Sequence, residues 1–323
     1  MDKLTPEQFW AEILAFCQTT CDRISPKLLQ DFGKVSASEK TDGSLITRAD
    51  EWADGEICRA IAAAFPAHGI LSEENSSAEN SSADSHPDSR PASNSDSNSD
   101  SRPGTQSEAQ SHTFPDTDWC WVIDPIDGTT DFTRGIPIWA TSLGLLYQGT
   151  PVFGYINVPP LNQAFYGYWY GDSVLPPDRH GPTGAYCNGQ PIQVDRNPLT
   201  PNHLFSFCTR SIHALQRDEL RSQKFPCKIR MLGASTYNLL TVAMGATLGG
   251  VEATPKIWDI AAVWAIAQAA GATWIALDDH LPFPLVAQNR YSSCSYPTLA
   301  IAQPALAEAF RPFVQSVAAA KNH

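Results

Sequence analysis

The stretch Trp119-Cys120-Trp121-Val122-Ile123-Asp124-Pro125-Ile126-Asp127-Gly128-Thr129-Thr130-Asp131-Phe132 constrains this chain more than any other. It begins as a short apolar run of β-formers, the pattern of a buried strand. Pro125 has no N–H for a sheet ladder and biases Asp124 away from the helical region, so the run breaks there. Two carboxylates three residues apart stand at the break. The Gly128-Thr129-Thr130 step behind them opens a helix or a tight loop whose free N–H groups suit an anion. Asp-Pro-x-Asp-Gly is also good turn chemistry, and alone it reads as a turn. Its company raises the functional reading. Ile70-Leu71-Ser72-Glu73-Glu74 ends a second apolar step in acids, and Trp258-Asp259 opens a long apolar helix. Carboxylates placed at element ends are how a chain gathers hard oxygen ligands for Mg²⁺.

Four motifs carry a family resemblance. In chain order they are Lys40-Thr-Asp-Gly-Ser-Leu-Ile-Thr-Arg-Ala-Asp50, Ser72-Glu73-Glu74, Asp124-Pro-Ile-Asp-Gly-Thr-Thr-Asp-Phe132 and Trp258-Asp259-Ile-Ala-Ala262. Together they resemble the signature of the inositol monophosphatase family of Mg²⁺-dependent, lithium-sensitive phosphatases, over nearly the whole chain outside one insert. The resemblance implies a layered α-β-α-β-α sandwich (α/β, α+β class) of the inositol monophosphatase and fructose-1,6-bisphosphatase kind, and commonly a homodimer. It makes Glu73 a metal ligand with Glu74 behind it, makes the carbonyl of Ile126 a ligand, and places Lys40 near the site. It pairs Asp50 with Thr129 to polarise the attacking water. Gly233-Ala234-Ser235 matches a substrate-side loop, and Glu252, six residues before Trp258, matches a glutamate that reaches substrate hydroxyls.

Plainer readings stand beside these. Asp50 reads as a helix N-terminal carboxylate, Asp259 and Ser235 as helix caps, and Lys40 as a solvated lysine. Brought together, however, Glu73, Asp124, Asp127 and Asp259 would repel one another, and only cations make such a cluster sensible. All-oxygen ligands point to Mg²⁺, with Mn²⁺ as a substitute, rather than to Zn²⁺. Two or three ions are expected, with the N–H groups of Gly128 and Thr129 holding phosphate oxygens and water attacking directly. Inositol 1-phosphate is the leading substrate. Histidinol phosphate, 3′-phosphoadenosine 5′-phosphate and fructose 1,6-bisphosphate are the alternatives, and a non-catalytic, metal-dependent regulatory protein is the alternative class. Two departures bear on the choice. Asp131 stands where relatives most often have Asn, adding charge near the phosphate. The Lys-x-Asp-Gly-Ser form is more familiar from histidinol-phosphate and phosphoadenosine-phosphate phosphatases, yet those branches usually carry Lys at the place of Thr130.

Composition narrows the partners. The net charge of −12 argues against a nucleic-acid backbone as ligand but admits a small phosphorylated metabolite if metal ions reverse the local sign. No apolar run approaches the roughly 18–20 residues of a membrane span. The Met-Asp-Lys-Leu start has neither a signal core nor a basic leader, so a cytoplasmic protein is expected. Eight cysteines at 17, 21, 58, 120, 187, 208, 227 and 294 form no CxxC pair, as in a reducing compartment.

Along the chain, residues 5–32 read as a helix capped by Thr5, with Pro6 at its first position and Gln8 completing a capping box. A short strand at Leu45–Thr47 precedes a helix opened by Asp50 and running to about Phe65. Residues 75–113 hold 13 serines in 39 residues and no large apolar side chain, so they read as a low-complexity insert and an inert surface loop. Ile138–Tyr147, Val152–Val158 and Ala164–Tyr170 read as an antiparallel meander, with Phe165, Tyr166, Tyr168, Trp169 and Tyr170 as sheet packing and Asn188-Gly189 as a hairpin turn. A change of composition near Pro198–Pro201 divides an N-terminal α+β domain, 1–198, from a C-terminal α/β domain, 199–323. In the second, strands at Leu204–Cys208, Lys228–Met231, Gly250–Glu252 and Thr273–Leu277 alternate with helices near 212–222, 235–246 and 259–270, and a last helix runs from Pro304 to about Ala319.

Overall fold

The computed structural model describes residues 4–40, 45–74, 112–211, 224–278, 280–315 and 317. The helix expected near 212–222, the Asp42-Gly43 turn and nearly all of the serine-rich insert lie outside the described residues. Helix α1 (Pro6–Asp31) starts under the expected capping box: Gln8 N–H donates to Thr5 Oγ1 at 3.3 Å and Thr5 N–H to Gln8 Oε1 at 2.9 Å. Strands β1 (Ser38–Glu39) and β2 (Leu45–Ile46) pair antiparallel and lead into α2 (Arg48–Ala64). Here the structure corrects the expected start. Thr47 caps α2, accepting from Ala49 N–H at 3.0 Å, and Asp50 is the third helical residue, whose carboxylate reaches back to Thr47 N–H at 2.8 Å. A capping box needs both partners, and the reading noticed only the acid.

A seven-stranded sheet follows, built from β3 (Gly69–Ser72), β4 (Trp119–Asp127), β5 (Ala140–Tyr147), β6 (Thr150–Val158), β7 (Gln163–Tyr168), β8 (Gly184–Cys187) and β9 (Gln190–Ile192) in that spatial order. Only β3 and β4 run parallel; the rest is the expected meander. Asn188 and Gly189 form the β8–β9 turn with φ of 49° and 76°, the doubly left-handed conformation of a tight hairpin. The six-residue helix α3 (Thr129–Arg134) lies between β4 and β5.

The second sheet holds β10 (Leu204–Phe207), β11 (Lys228–Met231), β12 (Gly249–Glu252), β13 (Thr273–Ala276) and β14 (Thr298–Ile301) in the order β11-β10-β12-β14-β13. Its helices are α4 (Ser235–Ala243), α5 (Ile257–Ala269) and α6 (Leu306–Val314). β14 was not expected, yet it is central, pairing antiparallel with both β12 and β13.

Alternation along the strands sets the layers. On β4, Trp121 and Ile123 join the cluster formed with Trp10, Ile13 and Ile24 of α1 and Ile57 and Ile61 of α2. Cys120 and Val122 point the other way, into a cluster shared with α4, α5 and the second sheet. On β10, Ser206 faces α4, donating to Asn238 O, whereas Phe205 meets Phe310 of α6 at 4.4 Å between ring centroids. The order of layers is therefore α-β-α-β-α, as expected. Because α5 lies between two sheets it is apolar nearly all round, with ten of its 13 residues buried.

Three glycines bring α5 close to the first sheet. Gly144, Gly154 and Gly167 are successive cross-strand partners on β5, β6 and β7. A Cβ on them would meet Ala262 N at 3.0 Å, Ala262 O at 2.0 Å and Ile266 Cα at 2.8 Å respectively. The helix backbone thus rests on the bare sheet, and Asp259 near its start is held at that height. Gly154→Ala is predicted to destabilise the protein by about 2 kcal/mol, the usual scale of overpacking. Gly55→Ala, whose Cβ would meet only the flexible end of Arg59, should be neutral or stabilising by up to about 1 kcal/mol. Urea unfolding of the two variants checks this; equal midpoints would contradict it.

Candidate active site

Three of the expected ligands come together where the two sheets meet α5. β4 runs through the Asp124-Pro125 step to Asp127, and its register against β5 shifts between Asp124 and Asp127. The irregularity turns both carboxylates toward the start of α5. Asp124, Asp127 and Asp259 each offer a ligand oxygen within 4.8 Å of the others. Asp124 and Asp127 are buried. Burial and mutual repulsion push all three carboxyls above the ordinary aspartate range, Asp127 to about 6. An acidic trio with two members buried and Asp259 half-buried fits a hard cation, which would restore the charged form of every member.

Each acid is also aimed. Asp124 Oδ1 accepts from Ile126 N–H at 3.0 Å. Asp127 accepts from Ser235 N–H at 3.2 Å and Thr236 N–H at 2.7 Å, the free donors at the start of α4. Asp259 Oδ2 accepts from Lys256 N–H at 2.8 Å, the local bond of its capping position. Glu73 lines the same cleft but stands outside the trio. Its Oε1 accepts from Lys40 Nζ at 3.0 Å, and the same ammonium reaches Glu74 Oε1 at 2.8 Å. Burial works to discharge Lys40, but the two glutamates outweigh it and raise its pKa. Glu74 is held up to about 8 by burial and by Glu73.

Beside the trio, Thr129 Oγ1 lies 3.3 Å from Asp50 Oδ1 and 3.1 Å from Ile126 O. The pairing expected from the motifs is therefore present, and it places the Ile126 carbonyl at the cleft. Asp50 is raised to about 6, chiefly by burial. Gly128 caps α3 at φ 88°, and a Cβ there would meet Ala234 Cβ and Ile138 O at 3.0 Å. Ala234 thus packs behind Gly128 and does not line the cleft, whereas Gly233 and Ser235 do. Ser235 is not a cap: its hydroxyl donates to Glu252 Oε2 at 3.1 Å, and Asn238 holds the other carboxylate oxygen. Asp131, expected to add charge near a phosphate, does not itself line the cleft; its carboxylate lies against Gly233, from whose N–H it accepts.

Part of the cleft lining was missed: Cys208, Thr209, Arg210, Thr254, Lys256 and Ser293 also border it. They lie in connections and at helix starts with no local pattern to mark them. The cleft encloses about 480 Å³.

A layered sandwich with a close acidic trio beside a Thr–Asp pair fits a metal-dependent phosphoric monoester hydrolase, and comparison with known proteins agrees. Residues 10–315 match the family model of the inositol monophosphatase family, and the chain belongs to that family. It is a phosphatase of the inositol monophosphatase kind. It is 28% identical over 252 residues to an inositol-1-monophosphatase of Mesorhizobium japonicum, covering 76% of this chain and 77% of that one. It is 26% identical over 261 residues to a fructose-1,6-bisphosphatase/inositol-1-monophosphatase of Aquifex aeolicus, covering 76% and 79%. A solved IMPase/NADP phosphatase holding Mg²⁺ and phosphate superimposes with a TM-score of 0.64 at 19% identity, over 94% of this chain and 95% of that one.

Glu252 supplies a pH test. It is 3% exposed, and burial lifts it from the ordinary 4.5 to about 8. A carboxyl raised on folding favours the protonated native state. Its contribution is therefore fully present below pH 4.5 and is lost as pH rises through about 8. Glu252→Gln removes that loss. The difference in Tm between variant and wild type should grow from pH 4.5 to 8 in the variant's favour and then level off; a difference independent of pH would contradict the assignment.

Proposed function

We propose that this protein hydrolyses a small phosphate monoester in an Mg²⁺-dependent reaction, with inositol 1-phosphate as the leading substrate. The observation that carries the reading is the Asp124–Asp127–Asp259 trio, two of its members buried and the third half-buried, beside the Thr129–Asp50 pair. Those three acids, with Glu73 and the carbonyl of Ile126, would hold two or three ions. Mg²⁺, when bound, lowers the pKa of water and stabilises a leaving oxygen.

The chain's own groups do the rest. Thr129 shares its hydroxyl hydrogen with Asp50, which leaves oxygen lone pairs free to accept from a water and orient it. Asp50, ionised above about pH 6, is the base behind it. Gly128 and Thr129 line the cleft, and their N–H groups would suit phosphate oxygens. Water attacks directly: Cys208 lines the cleft, but burial pushes its thiol up to about 12, so it is not a thiolate nucleophile. Gly233, Ser235 and Glu252 form the substrate side.

A second reading, fructose 1,6-bisphosphate, is favoured by Arg210 and Lys256, which line the cleft and suit a second anionic group. Thr130 also lines the cleft and brings no charge. Histidinol phosphate and 3′-phosphoadenosine 5′-phosphate complete the panel. We also propose a homodimer, inhibition by lithium, and a cytoplasmic setting, the last supported by eight unpaired cysteines and by the absence, among the described residues, of a helix long and apolar enough to cross a membrane.

Phosphate release from the four substrates, with and without Mg²⁺, tests the reading. One substrate should be preferred, and only with the metal. Asp127→Asn and Asp259→Asn should each lose about 10³-fold or more, near 4 kcal/mol of barrier, with the far-ultraviolet circular dichroism unchanged. Near wild-type turnover in either variant would remove the assignment. Metal binding without release from any substrate would favour a regulatory protein instead.

A further inference from the structure

Glu73 stands at the end of β3, with the residues after Glu74 outside the described set. Its backbone is nevertheless held on both sides. Its N–H donates to Ile123 O at 3.1 Å, beside Asp124. Its carbonyl lies 2.9 Å from His112 Nε2. A carbonyl only accepts, so Nε2 carries the hydrogen. The His112 ring lies over Trp258, 5.1 Å between centroids with planes 32° apart, and Trp258 is the neighbour of Asp259. One imidazole therefore spans from the backbone of Glu73 to the start of α5.

His112 is itself held in place. Its carbonyl accepts from Tyr291 N–H at 3.0 Å, Thr113 bridges to Arg290, and Phe114 exchanges backbone bonds with Asn289 and Gln288 at 2.9 and 3.0 Å. The facing segment is tied in turn to the head of α5, because Lys256 Nζ donates to Ser292 O at 2.8 Å. His112 has φ of 64°, in the left-handed region where a non-glycine residue is uncommon. The ring is thus fixed by a strand-like clasp that ends at the cleft.

We propose that His112 is a positioning residue: it couples the Glu73 backbone to the Trp258–Asp259 end of α5 and so sets the separation of the proposed metal ligands. The inference rests on the metal-site reading above. It assigns His112 no contact with substrate. Residues that orient metal ligands through hydrogen bonds typically change metal affinity by about tenfold or more when removed.

The left-handed backbone makes a clean test available. His112→Gly deletes the ring at a φ that glycine adopts without strain, and His112→Gln keeps an amide N–H near the place of Nε2. Free Mn²⁺ is measured by electron paramagnetic resonance against wild type, both variants and Asp124→Asn, with Tm recorded for each. His112→Gly should weaken Mn²⁺ binding by about tenfold while Tm stays within a few degrees, and His112→Gln should recover most of the loss. Unchanged affinity in His112→Gly overturns the proposal, as does an equal loss in His112→Gln. Wild-type protein that takes up no Mn²⁺ overturns the metal-site reading and this inference with it. Binding lost in Asp124→Asn but kept in His112→Gly overturns this inference alone.

Discussion

Carboxylates crowded out of water are the constraint on which the rest of this structure depends. Asp124, Asp127 and Asp259 bring oxygens within 4.8 Å of one another, and like charges so placed raise one another's pKa. Their positions must be imposed by elements with other reasons to be where they are. β4 is fixed between β3 and β5 and buried on both faces. α4 directs two free N–H groups at Asp127. α5 is seated on the glycine row of the first sheet and under the second. The cohesion of two apolar clusters thus offsets the repulsion at their common edge.

The same geometry explains why an acidic protein can serve as a phosphatase. At a net charge of −12 the chain repels free phosphate esters unless cations intervene. In the structure Lys40 lies across Glu73 and Glu74. Arg210 and Lys256 line the cleft. The cleft therefore carries both signs of charge, with cations set among its acids.

Much of this was legible in the residues. The capping box of α1, the meander and the Asn188-Gly189 hairpin follow from local rules, and the structure keeps them; the break expected at Pro125 is instead a register shift inside β4, which continues to Asp127. The Asp50–Thr129 pairing came from resemblance, since nothing in the spacing of residues 79 apart signals a contact. What escaped notice is what only packing decides. β14 is a strand of only four residues, made an interior strand of the sheet by pairing with β12 and β13. The row Gly144–Gly154–Gly167 has meaning only once register aligns three strands. Asp131 looked like a site charge because of its motif, but its carboxylate lies against Gly233 rather than lining the cleft. His112 lies at the edge of a serine-rich stretch, where composition gives no reason to expect a structural role.

The most direct measurement is the thermal midpoint of metal-free protein at pH 8, with and without millimolar Mg²⁺. A cation held by the native trio and not by the unfolded chain must stabilise the fold by mass action. Mg²⁺ should therefore raise Tm by several degrees at pH 8, by less at pH 5 where protons compete for the carboxylates, and not at all in Asp124→Asn. A midpoint that Mg²⁺ leaves unmoved at pH 8 would contradict the account of this cleft as a metal site.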